Sequence, residues 1–90
     1  MRLKYTPPAR RQFEVIAAYL RENAPEYAVG VVTKIRATAE RLLVFPYIGH
    51  TGMAPHTYEI TVPRLPYVIV YEVTKKEIQI LGIYHGRQSR

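Results

Sequence analysis

A proline at position 25 divides two stretches that otherwise share one period. Before it, Phe13, Ile16, Ala17, Leu20 and Ala24 recur at helical spacing; after it, Ala28, Val31, Val32, Ile35, Ala39 and Leu42 do the same. Pro25 disfavours the αR conformation at Ala24, so one helix must stop there and another begin. Thr6 supplies a start for the first helix: threonine caps well, and Pro7 fits the first helical position with its φ already set. Pro46 is expected to end the second helix. These constraints predict an antiparallel helix hairpin with one shared apolar side.

Past residue 56 the period changes to two. In TYEITV, Tyr58, Ile60 and Val62 alternate with Thr57, Glu59 and Thr61, which predicts a strand with one buried and one exposed face. YVIVYEV is apolar on both faces for most of its length and suits a central strand. PRLP and TKKE are the turns, and IQILGIY is the last strand. RLKY, ahead of the helices, alternates as a short first strand, whereas PYIGHTGMAPH has no period and reads as a loop. Consecutive strands joined by short turns pair antiparallel, and the helix hairpin can cover one face of the sheet they make. The expectation is a single α+β domain over residues 1–90, ordered β-α-α-β-β-β, whose open face carries Glu59 and Thr61.

The formal charge is +6 and the sequence pI about 9.8, a balance that favours an acidic partner. There is no cysteine, hence no disulfide and no thiolate zinc site. No apolar run nears the roughly 18 residues of a membrane span, and MRLKYTPPARRQ lacks the apolar stretch of a signal peptide. A cytoplasmic protein with no membrane partner is expected. His50 and His56 sit six apart across a loop, a spacing with no particular ligand geometry, so they read as polar loop residues, with neither metal nor cofactor implied. Ser89 is the only serine and has no acid near it to complete a triad. Tyr58, Tyr67 and Tyr71 fall at period-two positions, where core packing outweighs base stacking.

The end of the chain is different. After Glu77 the only charged residues are Arg87 and Arg90. In His85-Gly86-Arg87, the imidazole can titrate near neutrality, the glycine permits a sharp turn, and the guanidinium offers a planar fork for carboxylate or phosphate. On residue types alone, a frayed strand end and a contact site stand level.

The helix hairpin followed by YEITVPRLPYVIVYEVTKKEIQILGIYHGRQSR resembles the ParE branch of the RelE/ParE toxin superfamily. PYVIVYEV, the polar hairpin turn and the closing IYHGRQ are its most specific parts, and LLVFPYIGHTGM is similar to the family's passage after the second helix. The resemblance implies a type II toxin neutralised by a cognate, ParD-like antitoxin, with which it forms a hetero-oligomer. ParE-like members inhibit DNA gyrase; RelE-like members cut messenger RNA on the ribosome. Fold alone does not choose between them. RelE-like enzymes place two lysines where this chain has Glu59 and Thr61, an arginine where it has Val68, and a terminal arginine where it has Gln88. Their tyrosine-bearing extension has no counterpart in the sequence. Without those cations the extra charge of a cleaving phosphate is unopposed, which disfavours ribonuclease chemistry. The expectation is therefore a binding toxin without catalytic residues. His85, Arg87 and Arg90, with Arg64 as a further candidate, would contact gyrase or gyrase-bound DNA. The alternatives are a ribosome-dependent endoribonuclease and an inactive, antitoxin-binding family member.

Overall fold

The computed structural model describes residues 1–86. The elements are β1 (Arg2–Tyr5), α1 (Pro7–Asn23), α2 (Pro25–Arg41), β2 (His50–Thr51), β3 (Tyr58–Thr61), β4 (Tyr67–Val73) and β5 (Glu77–His85). The expected order is met, with one addition: β2, a two-residue strand inside the loop read as aperiodic.

Local chemistry sets the helix boundaries. Thr6 stands in extended conformation and its hydroxyl accepts from Ala9 N–H while donating to Ile80 C=O at 2.8 Å, so one side chain both starts α1 and ties it to β5. Ala24 is the hinge expected of a residue before proline, closing α1 through its N–H to Leu20 C=O at 2.8 Å. The helix α2 ends at Arg41, earlier than Pro46. Residues 42 to 45 continue as tight turns, with Leu42, Leu43 and Val44 N–H donating three residues back. Proline forbids the helix beyond it but does not hold the preceding turn in α geometry.

The sheet runs β1-β5-β4-β3-β2, with β1 parallel to β5 and every other pair antiparallel. β4 is the central strand, as its two-sided apolar sequence requires. The helix-side face carries Tyr58 and Ile60, then Ile69 and Tyr71, then Ile78, Ile80 and Ile83, packed with Phe13 of α1 and Ile35, Ala39 and Leu42 of and after α2. Strict alternation along β5 would turn Ile83 outward. A β-bulge prevents this: Tyr71 pairs with Ile80 but Val70 pairs with Gly82, so Leu81 is an extra residue. The bulge resets parity, and Ile83 is buried in the core while Tyr84 turns to the other face. Tyr84 lies flat over Gly82, where an added Cβ would sit only 2.5 Å from its ring. The strand β1 reaches only Ile80, and beyond it the Gln12 side chain accepts the Ile83 N–H at 2.8 Å. That bond satisfies a sheet edge with a helix side chain.

One expectation fails. Glu59 was placed on the exposed face, but it is 6% exposed. β3 is not an edge strand, because β2 lies beside it with His50 directly opposite Glu59. Thr57, read as exposed, is also buried, its hydroxyl donating to Ala54 C=O at 2.6 Å. Thr61 is exposed, as expected.

Candidate functional site

The face of the sheet away from the helices has few charges in its middle. β3 and β4 contain no lysine or arginine. Val68 and Val70 occupy that face of β4, both half-buried, and Glu59 and Thr61 that of β3. His50 Nε2 lies 3.8 Å from Glu59 Oε1, with the imidazole exposed and the carboxylate buried. The cations of this face, Arg2 and Lys4, are two strands away on β1, and Arg2 pairs with Glu77 at 3.5 Å.

His85 and Arg64 lie toward one end of the sheet, because His85 at the end of β5 is paired with Tyr67 at the start of β4. His85 is half-buried and meets the Tyr67 ring edge-on at 5.7 Å. Gly86 N–H donates to Pro66 C=O, fixing the strand end against the β3–β4 turn. Desolvation raises the Tyr67 hydroxyl pKa, with the Tyr19 hydroxyl of α1 adding to the rise. Arg64 is exposed and has φ 65°, a left-handed conformation that arginine rarely adopts. It faces α2 rather than His85, lining a shallow depression with Lys34, Thr38 and Arg41. The two described candidates, His85 and Arg64, therefore occupy different neighbourhoods. Arg87 and Arg90, like Gln88, lie outside the described residues.

Two surface features had no clear sequence signal. A groove of about 610 Å³ runs between α1 and α2. Phe13, Ala17, Ala28 and Val32 make its apolar lining, and Arg10, Arg21 and Arg36 outnumber its one acid, Glu14. Arg36 stacks on Phe13 with its guanidinium carbon 5.5 Å from the ring centre. Tyr5 also lines this groove; its buried hydroxyl has no hydrogen-bond partner among the described residues, and burial raises its pKa, against the lowering influence of Arg36. The second feature is the segment after α2, where Val44, Phe45, Tyr47, Ile48 and Met53 are all exposed. The Tyr71 hydroxyl anchors this segment by accepting the Gly49 N–H at 3.0 Å, and Tyr58 packs between the rings of Tyr47 and Tyr71. Apolar side chains clustered this way on a surface mark a place for a protein partner.

Among the described residues no group of three or more histidines and carboxylates could hold a metal ion, and no helix is long and apolar enough to cross a membrane.

Two helices on one face of a five-stranded sheet make a small α+β fold that several solved structures share. A chain of the chromosomal ParDE TA system from P. aeruginosa superposes with a TM-score of 0.84 at 28% identity, covering 94% of this chain and 95% of that one. The isolated E. coli RelE toxin gives 0.67 at 16% identity, covering 98% and 86%, a likeness of fold alone. Residues 3–90 match the family described as the ParE toxin of the type II toxin-antitoxin system parDE. A protein of Sinorhizobium fredii, Y4kP, named as a toxin candidate, is 30% identical over 88 residues, covering 98% of this chain and 91% of its own length. This chain belongs to the ParE toxin family.

Proposed function

We propose that the protein is a toxin that inhibits DNA gyrase by binding, performs no bond-breaking chemistry of its own, and is neutralised in the cytoplasm by a cognate antitoxin. The observation that carries this reading is the open sheet face. Cleavage of a phosphodiester requires cations where the extra negative charge develops. The two strands that would supply them, β3 and β4, have none, and a buried carboxylate occupies the position of Glu59. The likeness to the ParDE toxin, at 28% identity, supports the same choice.

The groove between α1 and α2 suits the antitoxin. An amphipathic segment would lay apolar side chains on Phe13, Ala17 and Val32 and present acidic ones to Arg10, Arg21 and Arg36. His85, Arg87, Arg90 and Arg64 are the proposed target contacts. Supercoiling and DNA-cleavage assays with purified gyrase test the proposal. Inhibition at stoichiometric toxin, relieved by antitoxin and lost in a folded H85A/R87A variant, is expected. Full activity of that variant removes the site assignment, and uninhibited gyrase removes the target.

One observation favours a second reading, ribosome-dependent RNA cleavage. His50 and Glu59 bring an imidazole within 3.8 Å of a carboxylate on the open face, a pair that would orient a general base on closing to hydrogen-bond distance. Incubation with messenger RNA, with and without ribosomes, separates the two: specific cuts at substoichiometric protein, abolished by H50A, select the enzyme.

A further inference from the structure

We infer that the depression between α2 and the β3–β4 turn is an anion site that grips the phosphodiester backbone of a nucleic-acid duplex. Lys34, Ala37, Thr38 and Arg41 are spaced i, i+3, i+4 and i+7, so they share one face of α2. Ala37 is small, and Thr38 is buried with its hydroxyl donating to Lys34 C=O at 2.8 Å. The floor between the two cations is therefore low. Pro63 and Arg64 form the opposite wall and add a third cation.

Arg64 holds a left-handed backbone at φ 65°, fixed by Leu65 N–H on Val62 C=O at 3.1 Å and Val62 N–H on Tyr67 C=O at 2.9 Å. Glycine or asparagine would occupy that conformation with less strain. An arginine kept there points to a task for its side chain. No carboxylate lines the depression, whose volume is about 440 Å³. None of the three cations is in an ion pair with a described residue. Arg41 in the last turn of α2 also complements the helix dipole, but that role needs neither Lys34 nor Arg64.

The ligand class follows from spacing and lining. Lys34 and Arg41 are about 10 Å apart along the helix axis, from a rise of about 1.5 Å per residue. That separation suits an extended polyanion better than one phosphate. No aromatic ring lines the site, so it offers no platform for unpaired bases, and a duplex backbone fits better than a single strand. An acidic amphipathic peptide would find less apolar surface here than in the groove between the helices, which suits it better. The inference rests on the target reading above for its biological setting, since gyrase holds DNA; the contact itself needs no gyrase.

The test is fluorescence anisotropy of the intact protein with short labelled DNA and RNA duplexes of one sequence, at salt between about 50 and 200 mM. A K34Q/R41Q/R64N variant is compared with a charge-matched R11Q/K75Q/K76Q variant. Asparagine keeps the backbone at position 64 tolerable, and circular dichroism with a thermal melt checks the fold. Three neutralised phosphates contribute about −2.7 to the log–log salt slope, about 40-fold in affinity over that range. The first variant should lose that contribution and the second should keep it. The single R41Q variant should lose about 0.9 of slope, giving a readout if the triple variant fails to fold. Preference for either duplex supports the site and names its source. Equal losses in both triple variants, no duplex binding by the parent protein, or equally tight binding of poly-glutamate overturns the inference. Its failure is separable from that of the gyrase reading: duplex binding can survive without gyrase inhibition, and inhibition can survive loss of duplex binding.

Discussion

Replacing Tyr71 by phenylalanine isolates the contact that holds the exposed segment after α2. The ring is fully buried and stays so in the variant, leaving its stacking on Tyr58 intact with centroids 5.6 Å apart. Only the hydroxyl is lost, and with it the acceptor for Gly49 N–H at 3.0 Å. A buried donor left without its partner costs about 1–3 kcal/mol; Gly49 is only half-buried, so water recovers part of this and the low end of the range, about 1–1.5 kcal/mol, applies. For a chain of this size that lowers Tm by about 4–12 °C. Local adjustment cannot bring another protein group into the hydroxyl's place, because the backbone is already tight here: a Cβ on Gly49 would lie 2.6 Å from the Glu59 carbonyl oxygen. The assay pairs a thermal melt with amide hydrogen exchange. Gly49 and the β2 amides should exchange faster, while β4 and β5 amides slow to exchange remain so relative to global stability. An unchanged melt together with unchanged exchange at Gly49 would refute the claim that Tyr71 anchors the segment.

Three further outcomes follow from other contacts. Q12A strands the Ile83 N–H at the bulge and should destabilise by about 1–3 kcal/mol in chemical denaturation; a smaller loss, with Ile83 exchange unaltered, would mean that water replaces the glutamine. T6A removes both the α1 cap and the hydroxyl bond to Ile80, at a cost of about 1–2 kcal/mol, and T6S should restore most of it. Burial is the leading cause of raised hydroxyl pKa at Tyr5, Tyr67 and Tyr71. The folded state thus retains these protons when the unfolded state begins to lose them near pH 10. Their contribution is complete below pH 10 and lost as pH rises through the folded values, so stability should fall on the alkaline side, less steeply in Y71F. A flat stability profile well above pH 10 contradicts this.

The hairpin and the order of elements along the chain were legible because Thr6, Pro7 and Pro25 act locally, through capping and φ, and because the apolar period changes abruptly after the loop. Glu59 was misplaced because a two-residue strand such as β2 is too short to leave a period, and only its presence beside β3 buries that side chain. The inward turn of Ile83 was hidden as well, since alternation along IQILGI cannot announce that Leu81 has no partner of its own. Arg64 was singled out by its charge, but Lys34 and Arg41 carry no signal of their own within α2. Their meeting with Arg64 depends on how α2 crosses the β3–β4 turn, a long-range relation absent from any short window. Arg10, Arg21 and Arg36 escaped notice for the same reason: they come from two helices, and their shared groove exists only once the hairpin closes.

The extra residue at Leu81 also governs how the last strand can change over generations. If Leu81 were kept but paired regularly, Ile83, Tyr84 and His85 would all be inverted, sending Tyr84 toward the helices and His85 to the opposite surface, whereas deleting it would leave their facing unchanged. Relatives with and without such a kink can therefore agree letter for letter at their ends yet offer different chemistry to whatever they grasp. Comparing these toxins by which way a residue faces, instead of by its place in a written alignment, is the sounder guide to shared targets.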